Sequence, residues 1–473
     1  MNIEKVLEKI YELKITGISD DTRYLNPGDL FVCLKGKNFN GKDFVIDATH
    51  KGAKAILSET KIPTATIPVI LTSNIRKNFD QLLAKYYDYP FREIRMIGIT
   101  GTDGKTTTAS LIEHLLNLKY KCAYIGTNGI RYNLQSEKSS YTTLPLCLLM
   151  KVLRKLANQN IRYLAMEVSS EGLVNNRLES IEFDVAVFTN LSHEHLDTHK
   201  TMDNYFQAKL KLFEKLDKKG LALANGDCPY SYKINHPNLV TFGIDNVCDY
   251  QAINIRRQVK YTVFDLKTPN MIYKDLKVNV KEKYNIYNIL AAITVSLHFQ
   301  VPMKLIYKAL LDLPKIEGRL ELLTTTEDFS VYVDFAHTPN ALYNVLTSLK
   351  EYNRPLKVVI GSAGGKDKSK RPLMGEIATN IADYVYFTSE DPRYEDPKQI
   401  ISELIKTTKK TNYEIIIDRK EAIKKAIFDA NKDDIIIITG KGNDNYFEID
   451  NKIYQYSDIS EVIKNLELRK KGS

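Results

Sequence analysis

One stretch near residue 100, GITGTDGKTTT (98–108), limits the folds that are open to this 473-residue chain. The apolar run RMIGIT leads into it and ASLIEHLL follows, so a strand, a glycine-rich turn and a helix succeed one another. Backbone N–H groups of such a turn bind phosphate oxygens, aided by the helix N-terminus. Lys105 would reach the β- and γ-phosphate oxygens, and the Thr106 hydroxyl would coordinate Mg²⁺. The stretch therefore predicts a nucleotide-binding α/β domain.

The glycine spacing differs from the common phosphate-loop pattern GxxxxGK[ST]. Five residues, not four, separate Gly98 from Gly104, and the nearer glycine is Gly101. A chance GKT in an ordinary turn is the competing interpretation. The order of strand, loop and helix favours the phosphate loop.

Strand and helix patterns alternate along three segments of the chain. Residues 1–88 predict a small α/β module, with LFVCL as a strand after the turn NPGD. In 89–314, the runs RMIGIT, YLAMEV and FDVAVFTN predict buried parallel strands and a doubly wound sheet. In 315–473, strands that end at Asp334, Gly361, Glu390 and Gly440 predict a second, Rossmann-like α/β domain. Ligands bind such sheets at the carboxyl ends of the strands.

Composition restricts the class of protein further. No apolar run reaches the ~18 residues that span a bilayer, and the charged N-terminus is unlike a signal peptide. The five cysteines are scattered without a CxxC pair, which favours reduced, buried thiols over disulfides or zinc. The formal charge of +9 suits anionic ligands such as nucleotides, and no basic run interleaved with aromatic residues indicates nucleic acid. We expect a cytoplasmic protein, and a monomer.

Two polar side chains close to predicted strand ends could hold a divalent cation. Glu167 ends the strand YLAME, and His195 lies in TNLSHEHLD after the next strand. A carboxylate and an imidazole near a phosphate loop fit a metal bound to nucleotide. A polar loop with accidental histidines is the competing interpretation.

The variant TGT-x-GKTTT resembles that of the Mur ligases, a family whose members use ATP to join an amino acid to a peptidoglycan precursor. Asp103 stands where the family usually has Asn. The stretch 189–213 resembles the family segment TNL-x-x-DHLD-x-H, with His193 for Arg and Glu194 for Asp. The resemblance implies that His195 is a metal ligand. It also implies that Lys209 is carbamylated and serves a second Mg²⁺.

The resemblance implies that residues of both the second and the third segment contact ATP. Asn285 and Asn288 match asparagines on the adenine side, and Arg319, Asp334 and His337 would meet the nucleotide. The phosphate loop would supply the remaining contacts, namely Gly101, Thr102, Asp103, Gly104, Lys105, Thr106 and Thr107.

Other positions resemble the tripeptide synthetases of the family, which act on UDP-muramyl dipeptide. DDTRYLNPGDLFVCLKG, with Thr22, is similar to their uridine-binding opening. Thr142 and Thr143 resemble a threonine pair that contacts the UDP-muramyl substrate, and Ser169 and Arg177 match further contacts. Leu144-Pro145 and Glu171 depart from the pattern.

Several departures from the family pattern concern the incoming amino acid. The segment Glu390-Asp391-Pro392-Arg393 stands where members that add diaminopimelate have DNPR, and Arg393 suits a carboxylate clamp. Asp391 would instead suit the amine of lysine. Lys366 replaces an Arg, and Gly440 and Asp444 belong to GKGND, where GKGHE is usual. Diaminopimelate, in its meso form, is favoured over lysine or another diamino acid.

The resemblance implies a two-step reaction in which ATP phosphorylates a carboxyl group and an amine displaces phosphate. Lys105, Lys209 and His195 are the expected catalytic residues. Three alternatives stay open at this point: a related ligase of the folylpolyglutamate or cyanophycin type, a small-molecule kinase, and a nucleotide-binding module without catalysis. Closure of the third segment over the nucleotide is a further expectation.

Overall fold

The computed structural model describes residues 2–36, 39–258, 261–325, 328–450 and 452–472. Internal contacts divide it into two compact units. The first unit contains the chain up to Ile99 together with Lys119–Ala186 and Lys211–Ala222. The second contains Thr100–Leu118, Val187–Leu210 and the chain from Leu223 onward.

The N-terminal part of the first unit is a small parallel sheet with helices. The sheet order is β1-β2-β3-β4, with every pair parallel. The first helix begins where the Asn2 side chain accepts from the Lys5 N–H, and it buries one apolar stripe, Val6, Leu7 and Ile10. The elements are α1 (Ile3–Glu12), β1 (Ile18–Ser19), β2 (Leu30–Val32), α2 (Val45–His50), β3 (Ala55–Ser58), β4 (Val69–Leu71) and α3 (Ile75–Tyr86).

The rest of the first unit is built on the strand order β10-β5-β9-β6-β7-β8. Strand β5 pairs in parallel with β9, which pairs in parallel with β6, whereas β7 and β8 are antiparallel. The stretch of chain from 95 to 225, which contributes elements to both units, forms β5 (Arg95–Thr100), α4 (Lys105–Leu116), β6 (Cys122–Gly126), β7 (Gly129–Tyr132), β8 (Gln135–Glu137), α5 (Leu146–Asn158), β9 (Tyr163–Glu167), α6 (Ser170–Val174), β10 (Phe183–Phe188), α7 (Leu196–His199), α8 (Met202–Glu214) and β11 (Leu216–Asn225).

The second unit adds an antiparallel ribbon and a long buried helix. Strands β13, β14 and β15 pair antiparallel, an arrangement that the alternation of predicted helices and strands does not indicate. Helix α9 is apolar nearly all round, so most of it is buried. The elements are β12 (Leu239–Gly243), β13 (Tyr250–Arg257), β14 (Thr262–Lys267), β15 (Ile272–Val278), α9 (Lys283–His298) and α10 (Met303–Ala309).

The C-terminal part of the second unit is a six-stranded sheet of order β16-β17-β21-β18-β19-β20. All pairs are parallel except β16 with β17, so the carboxyl ends of five strands meet at one edge. The elements are β16 (Glu321–Thr325), β17 (Ser330–Asp334), α11 (Pro339–Lys350), β18 (Leu356–Ile360), α12 (Arg371–Ile381), β19 (Tyr384–Phe387), α13 (Pro397–Ile405), β20 (Tyr413–Ile415), α14 (Arg419–Phe428), β21 (Ile435–Thr439), β22 (Tyr446–Ile449), β23 (Lys452–Gln455) and α15 (Asp458–Gly472).

The predicted α/β class is confirmed, with parallel strands at the centre of each large sheet. All five cysteines are buried free thiols. Within the described residues, no helix combines the length and the hydropathy that a bilayer crossing needs. The division into segments 1–88, 89–314 and 315–473 stays a prediction.

Candidate functional site

The glycine-rich loop after β5 has the backbone that a phosphate cradle needs. Gly101 and Gly104 have φ angles of 150° and 85°, and Gly104 caps the N-terminus of α4. A Cβ on Gly101 would lie 1.8 Å from Thr189 Oγ1, and one on Gly104 would lie 2.6 Å from Asn288 Oδ1. Both positions therefore exclude side chains. The loop exposes backbone at a helix N-terminus, where anions bind.

Residues 189–192, which follow β10, hold the glycine-rich loop through hydrogen bonds. The Thr189 hydroxyl and the Asn190 amide both donate to the Asp103 carbonyl, at 2.7 and 3.1 Å. The Asp103 N–H returns a hydrogen bond to Asn190 Oδ1, at 3.0 Å. Thr102 accepts from the Ser192 N–H at 3.0 Å. These bonds hold the loop in one conformation before any ligand arrives.

Two lysines lie on the same loop. Lys105 Nζ donates to the carbonyls of Gly101 and Thr102, at 3.0 and 2.8 Å. Lys209, on α8, is only 1% exposed and donates to the Gly101 carbonyl at 2.7 Å. Burial and the nearby charge of Lys105 lower the pKa of Lys209 well below its usual value. The structure thus brings the two predicted catalytic lysines together.

His195 belongs to the same cluster. Burial, followed by the charges of Lys209 and Lys105, lowers the pKa of His195 to about 2, so the imidazole is neutral. Its ring centroid lies 5.7 Å from that of Tyr205, whose hydroxyl accepts from Thr102 Oγ1 at 3.3 Å. A neutral imidazole next to a phosphate loop is able to bind a metal ion.

A chain of amides runs behind the loop on the predicted adenine side. Asn288 donates to Asn285 Oδ1 at 3.2 Å, and Asn285 donates to Glu282 Oε2 at 3.1 Å. The Thr108 hydroxyl of α4 donates to Asn288 Oδ1 at 3.1 Å. Asn288 therefore holds the first turn of α4 through Thr108. The adjacent Glu282, which the sequence reasoning missed, lies three residues before Asn285 at the N-terminus of α9.

The predicted nucleotide contacts of the third segment also lie at the loop. Arg319 Nη2 donates to Thr106 Oγ1 at 3.0 Å, while its buried Nε has no hydrogen-bond partner among the described residues. The Asp334 carboxylate accepts from the N–H groups of Leu320 and Ala336, at 2.6 and 2.7 Å, so it shapes the turns on either side. An unsatisfied guanidinium N–H beside a phosphate loop fits an anionic ligand.

His337 follows β17 and is a second neutral imidazole of this unit. Its Nδ1 lies 2.8 Å from the carbonyl of Phe335. Burial, followed by the charge of Lys370, lowers the pKa of His337 to about 3. The imidazole of His337 is therefore neutral near pH 7.

Glu167 lies in the first unit, at the end of β9, and is fully buried. It accepts from the Tyr124 hydroxyl at 2.5 Å and from the Thr127 N–H at 2.9 Å. Thr106, His195 and Lys209 lie in the second unit. The described residues contain no group of three or more His, Cys, Asp or Glu side chains that could hold a metal. Coordination of Mg²⁺ by these four residues therefore stays a prediction.

The first unit contains a cavity of about 320 Å³, and one of the predicted UDP-substrate residues, Arg177, lines it. Its charged lining comes from Asp20, Asp21, Lys151 and Arg177, and Tyr24 and Tyr141 add two aromatic rings. The Arg177 guanidinium lies 5.2 Å from the centre of the Tyr141 ring. A cation and aromatic faces in one cavity suit an anionic ligand that carries a base.

The other predicted UDP-substrate residues are not among those that line this cavity, and they differ in exposure: Thr22, Thr142, Thr143 and Ser169. Thr143 is fully buried, donates to the Glu167 carbonyl at 2.9 Å and offers its own carbonyl to Arg177 Nη1 at 2.8 Å. Ser169 caps α6 and lies 3.2 Å from the Thr143 hydroxyl. Thr142 Oγ1 lies 3.1 Å from Thr127 Oγ1. Thr22 is buried, and its carbonyl accepts from Lys51 Nζ. In this geometry Thr143 orients Arg177.

At the strand edge of the C-terminal sheet, the predicted amino-acid residues form two ion pairs. Lys441 Nζ donates to both carboxylate oxygens of Asp391, at 2.8 Å each, and the pair is buried. Arg393 Nε donates to Glu448 Oε2 at 2.9 Å. The terminal nitrogens of Arg393 have no partner in the part of the chain that the structure describes. Lys441 and Glu448 were missed because nothing in the local sequence links them to Asp391 and Arg393.

Two further carboxyl groups and a tight loop complete this region. Burial raises the pKa of Glu390 to about 7 and that of Asp444 to about 6. A Cβ on Gly440 would lie 2.0 Å from Glu390 Oε2, so a glycine is required there. Pro392 packs on Gly364, two residues before the half-buried Lys366. The region is thus rich in charge, most of it already paired.

Comparison with known proteins agrees with this geometry. Three family models match in order: "Mur ligase family, catalytic domain" over residues 14–88, "Mur ligase middle domain" over 99–296 and "Mur ligase, glutamate ligase domain" over 318–442. The UDP-N-acetylmuramoyl-L-alanyl-D-glutamate–2,6-diaminopimelate ligase of Bacillus velezensis is 36% identical over 466 residues, which are 96% of this chain and 95% of that protein.

Solved structures lead to the same family. The structure of a UDP-N-acetylmuramoyl-L-alanyl-D-glutamate–2,6-diaminopimelate ligase matches with a TM-score of 0.62 at 29% identity, covering 96% of this chain and 95% of that one. The MurF ligase of Thermotoga maritima in complex with ADP has a TM-score of 0.70 at 20% identity and covers 97% and 99%, which shows a shared fold. The chain belongs to the Mur ligase family.

Proposed function

We propose that this protein is an ATP-dependent ligase that adds meso-2,6-diaminopimelate to UDP-N-acetylmuramoyl-L-alanyl-D-glutamate, a step of peptidoglycan precursor synthesis. The observation that carries the proposal is the similarity along nearly the whole chain to a ligase named for these substrates. The phosphate loop with Lys105, Lys209 and His195 supports the use of ATP. Family membership argues against a small-molecule kinase, whose reaction makes no amide.

In the proposed reaction, the γ-carboxyl of the substrate's D-glutamate attacks the γ-phosphorus of ATP, and ADP leaves. The resulting acyl phosphate is attacked by the amine of the diamino acid, which forms the amide and releases phosphate. The loop N–H groups and Lys105 would bind the phosphoryl oxygens and stabilise their charge as it develops. Arg319, whose Nη2 donates to Thr106 and whose Nε is unpaired among the described residues, would add a second cation.

Mg²⁺ would neutralise phosphate charge during transfer. It usually binds through one or two carboxylates together with substrate phosphates and water, so the site need not be a closed cage. Thr106 and neutral His195 have the chemistry to bind it, with Glu167 and carbamylated Lys209 as the carboxylate ligands. Asp103 directs its carboxylate toward Thr338 and Asn340, at 3.3 and 3.2 Å, so we do not count it among the ligands.

We assign the three segments to the three substrates. Residues 1–88 would hold the uridine with Thr22, residues 89–314 the ATP, and residues 315–473 the amino acid. The cavity in the first unit, with Arg177 in its wall, is the proposed binding site of the UDP substrate. We place the reaction in the cytoplasm, where ATP is available to it, and expect a monomer to suffice.

The choice of diaminopimelate over lysine depends on Arg393. Both oxygens of Asp391 already accept from Lys441, so Asp391 is poorly placed to bind the side-chain amine of lysine. Arg393 uses only Nε for Glu448, and its planar fork leaves two nitrogens for a carboxylate. Diaminopimelate has a carboxylate at its far end and lysine has none.

The assay that tests the function measures phosphate release and product mass with UDP-N-acetylmuramoyl-L-alanyl-D-glutamate and ATP. Diaminopimelate isomers, L-lysine and other diamino acids are supplied one at a time. We expect one amide per phosphate, with the mass of one added diaminopimelate residue. Turnover with a folyl substrate but none with the UDP-muramyl dipeptide would instead support the folylpolyglutamate-type alternative.

Replacing Arg393 by alanine should lower kcat/KM for meso-diaminopimelate about 100-fold, because a charged hydrogen-bonded pair loses one partner. The rate with L-lysine should change much less. The ratio of the two values is the measurement, because it cancels any general loss of folded enzyme. Arg393→Lys keeps the charge but loses the fork, so it should recover only part of the ratio.

The exposed Arg92, replaced by alanine, is the matched control and should leave the ratio unchanged. An Arg393→Ala variant with an unchanged preference for diaminopimelate would contradict the proposed clamp.

A further inference from the structure

A buried ion pair joins two loops of the second unit that are far apart in sequence. Lys370 Nζ lies 3.0 and 3.1 Å from the two carboxylate oxygens of Glu194, and each side chain is only 4% exposed. The same Nζ donates to the His337 carbonyl at 2.8 Å. One ammonium group therefore connects the loop that contains His195 with the loop that contains His337. We call this contact the 194–370 bridge.

The position of Lys370 is unfavourable for a cation taken alone. It is the N-cap residue of α12, where the helix dipole disfavours positive charge. Burying two charges also costs desolvation free energy that their attraction seldom exceeds. Apolar residues of similar volume often replace such a buried pair without loss of stability. Stability alone therefore does not account for the bridge.

Other contacts across the same boundary surround the bridge. His193 Nε2 lies 3.1 Å from Asp367 Oδ2 and 3.1 Å from Ser369 Oγ. The Asp103 carboxylate, at the tip of the phosphate loop, accepts from Thr338 Oγ1 and from Asn340 Nδ2. Every one of these contacts links residues 103 or 193–194 to residues 337–370. Together they define one contact surface with the bridge at its buried centre.

We propose that the 194–370 bridge positions His195 and His337 for phosphoryl transfer, by holding residues 337–370 against the nucleotide-binding loops; this rests on the proposed function. Glu194 and Lys370 are positioning residues, because they act through their neighbours. Held in place, the loops keep water from the acyl phosphate. Released, they let water compete with the amine, so that phosphate is freed without amide.

The test measures phosphate released per amide formed, together with kcat, KM for ATP and the melting temperature. Glu194→Gln keeps the shape and removes the charge. We expect kcat to fall at least about tenfold and the ratio of phosphate to amide to rise above one, with KM for ATP changed less. Glu194→Asp retains the charge with a shorter reach and should recover part of both values. Lys370→Gln should act like Glu194→Gln, and the double variant should be no worse than either single one.

Lys368→Gln is the matched control, because Lys368 pairs with Glu395 instead and is half exposed. It should leave the ratio and kcat unchanged. A merely structural role would lower the melting temperature and the active fraction while one phosphate per amide is kept, and that result would overturn the proposal. If Glu194→Gln fails to fold, His193→Ala at the exposed margin gives the same readout, with a smaller expected rise.

Failure of the proposed function has a different signature. In that case the wild-type protein forms no amide with any diamino acid, whereas the bridge can still be judged by hydrogen exchange. We then expect amides of 192–195 and 338–341 to exchange faster in Glu194→Gln than in the wild type. Equal exchange rates in these two stretches would overturn the proposal independently of any activity.

Discussion

Replacing Lys105 by methionine should lower kcat about 1,000-fold, the size of effect that removal of a preorganised charge from a transition state produces. Lys105 Nζ donates hydrogen bonds to the carbonyl groups of Gly101 and Thr102. These bonds fix the ammonium at the mouth of the loop, so it is preorganised for phosphoryl oxygens. Methionine has a similar length but has no charge and no donor.

The measurement is steady-state phosphate release, with ATP affinity determined separately by calorimetry. We expect ATP binding to weaken much less than kcat falls, because the loop N–H groups and the N-terminus of α4 still bind phosphate. Lys105→Arg should stay strongly impaired, since a planar fork does not replace a compact ammonium. Exposed Lys432, replaced by methionine, is the control. A Lys105→Met variant within threefold of the wild-type kcat would exclude this role.

The strands that carry the site were predictable because they are buried in parallel sheets. Their apolar runs are continuous, and each ends in a polar or glycine residue at the ligand edge, as with Asp334 at the end of β17 and Gly440 after β21. The loop after β5 was predictable for the same reason, together with its glycines. In each case the signal lies within about ten consecutive residues.

The antiparallel elements were not predicted. Strands β13–β15 have many exposed and half-buried residues, so their apolar pattern is weak. The hairpin of β22 and β23 is mostly exposed, and yet it supplies Glu448, the partner of Arg393. An alternation of hydrophobic segments cannot reveal elements whose burial is so slight.

The partners of the buried charged residues also could not be predicted from the sequence. From the sequence, Asp391 was expected to offer a free carboxylate to the amine of a substrate. In the structure, Lys441, fifty residues later, donates to both of its oxygens. Glu194 likewise gave no hint of Lys370. Such pairs depend on which loops the sheet brings together, and residue type alone does not specify that. Local sequence therefore identified chemical groups, and only the tertiary structure showed which of them are already neutralised.

Lys209 should carry a carbamate in the active enzyme, and its loss should lower kcat at least about 100-fold. Carbamylation joins the amine nitrogen to the carbon of CO₂ and releases one proton, so it requires an uncharged amine. Burial lowers the pKa of Lys209 well below its usual value, which raises the share of neutral amine that can react with CO₂. Carbamylation thus replaces the positive charge of the lysine with the negative charge of a carbamate.

Two measurements check this. With ¹³C-labelled bicarbonate, the wild type should give a carbamate carbonyl signal in the NMR spectrum that Lys209→Met lacks. Depletion of CO₂ should slow turnover, and added bicarbonate should restore it in the wild type alone. Lys211→Met, on the same helix, is the control and should keep both the signal and the rate.

These measurements distinguish a carbamate at Lys209 from an ammonium group at Lys209. If Lys209 acts as an ammonium, its pKa must rise when phosphate binds, and activity would then be independent of CO₂. The contact of Nζ with the Gly101 carbonyl serves either state, because a carbamate nitrogen keeps one N–H to donate. CO₂ dependence is therefore the decisive observation, since it requires the anion. Activity that is unaffected by CO₂, with no carbonyl signal, would show that Lys105 and Lys209 act as two cations on the phosphates.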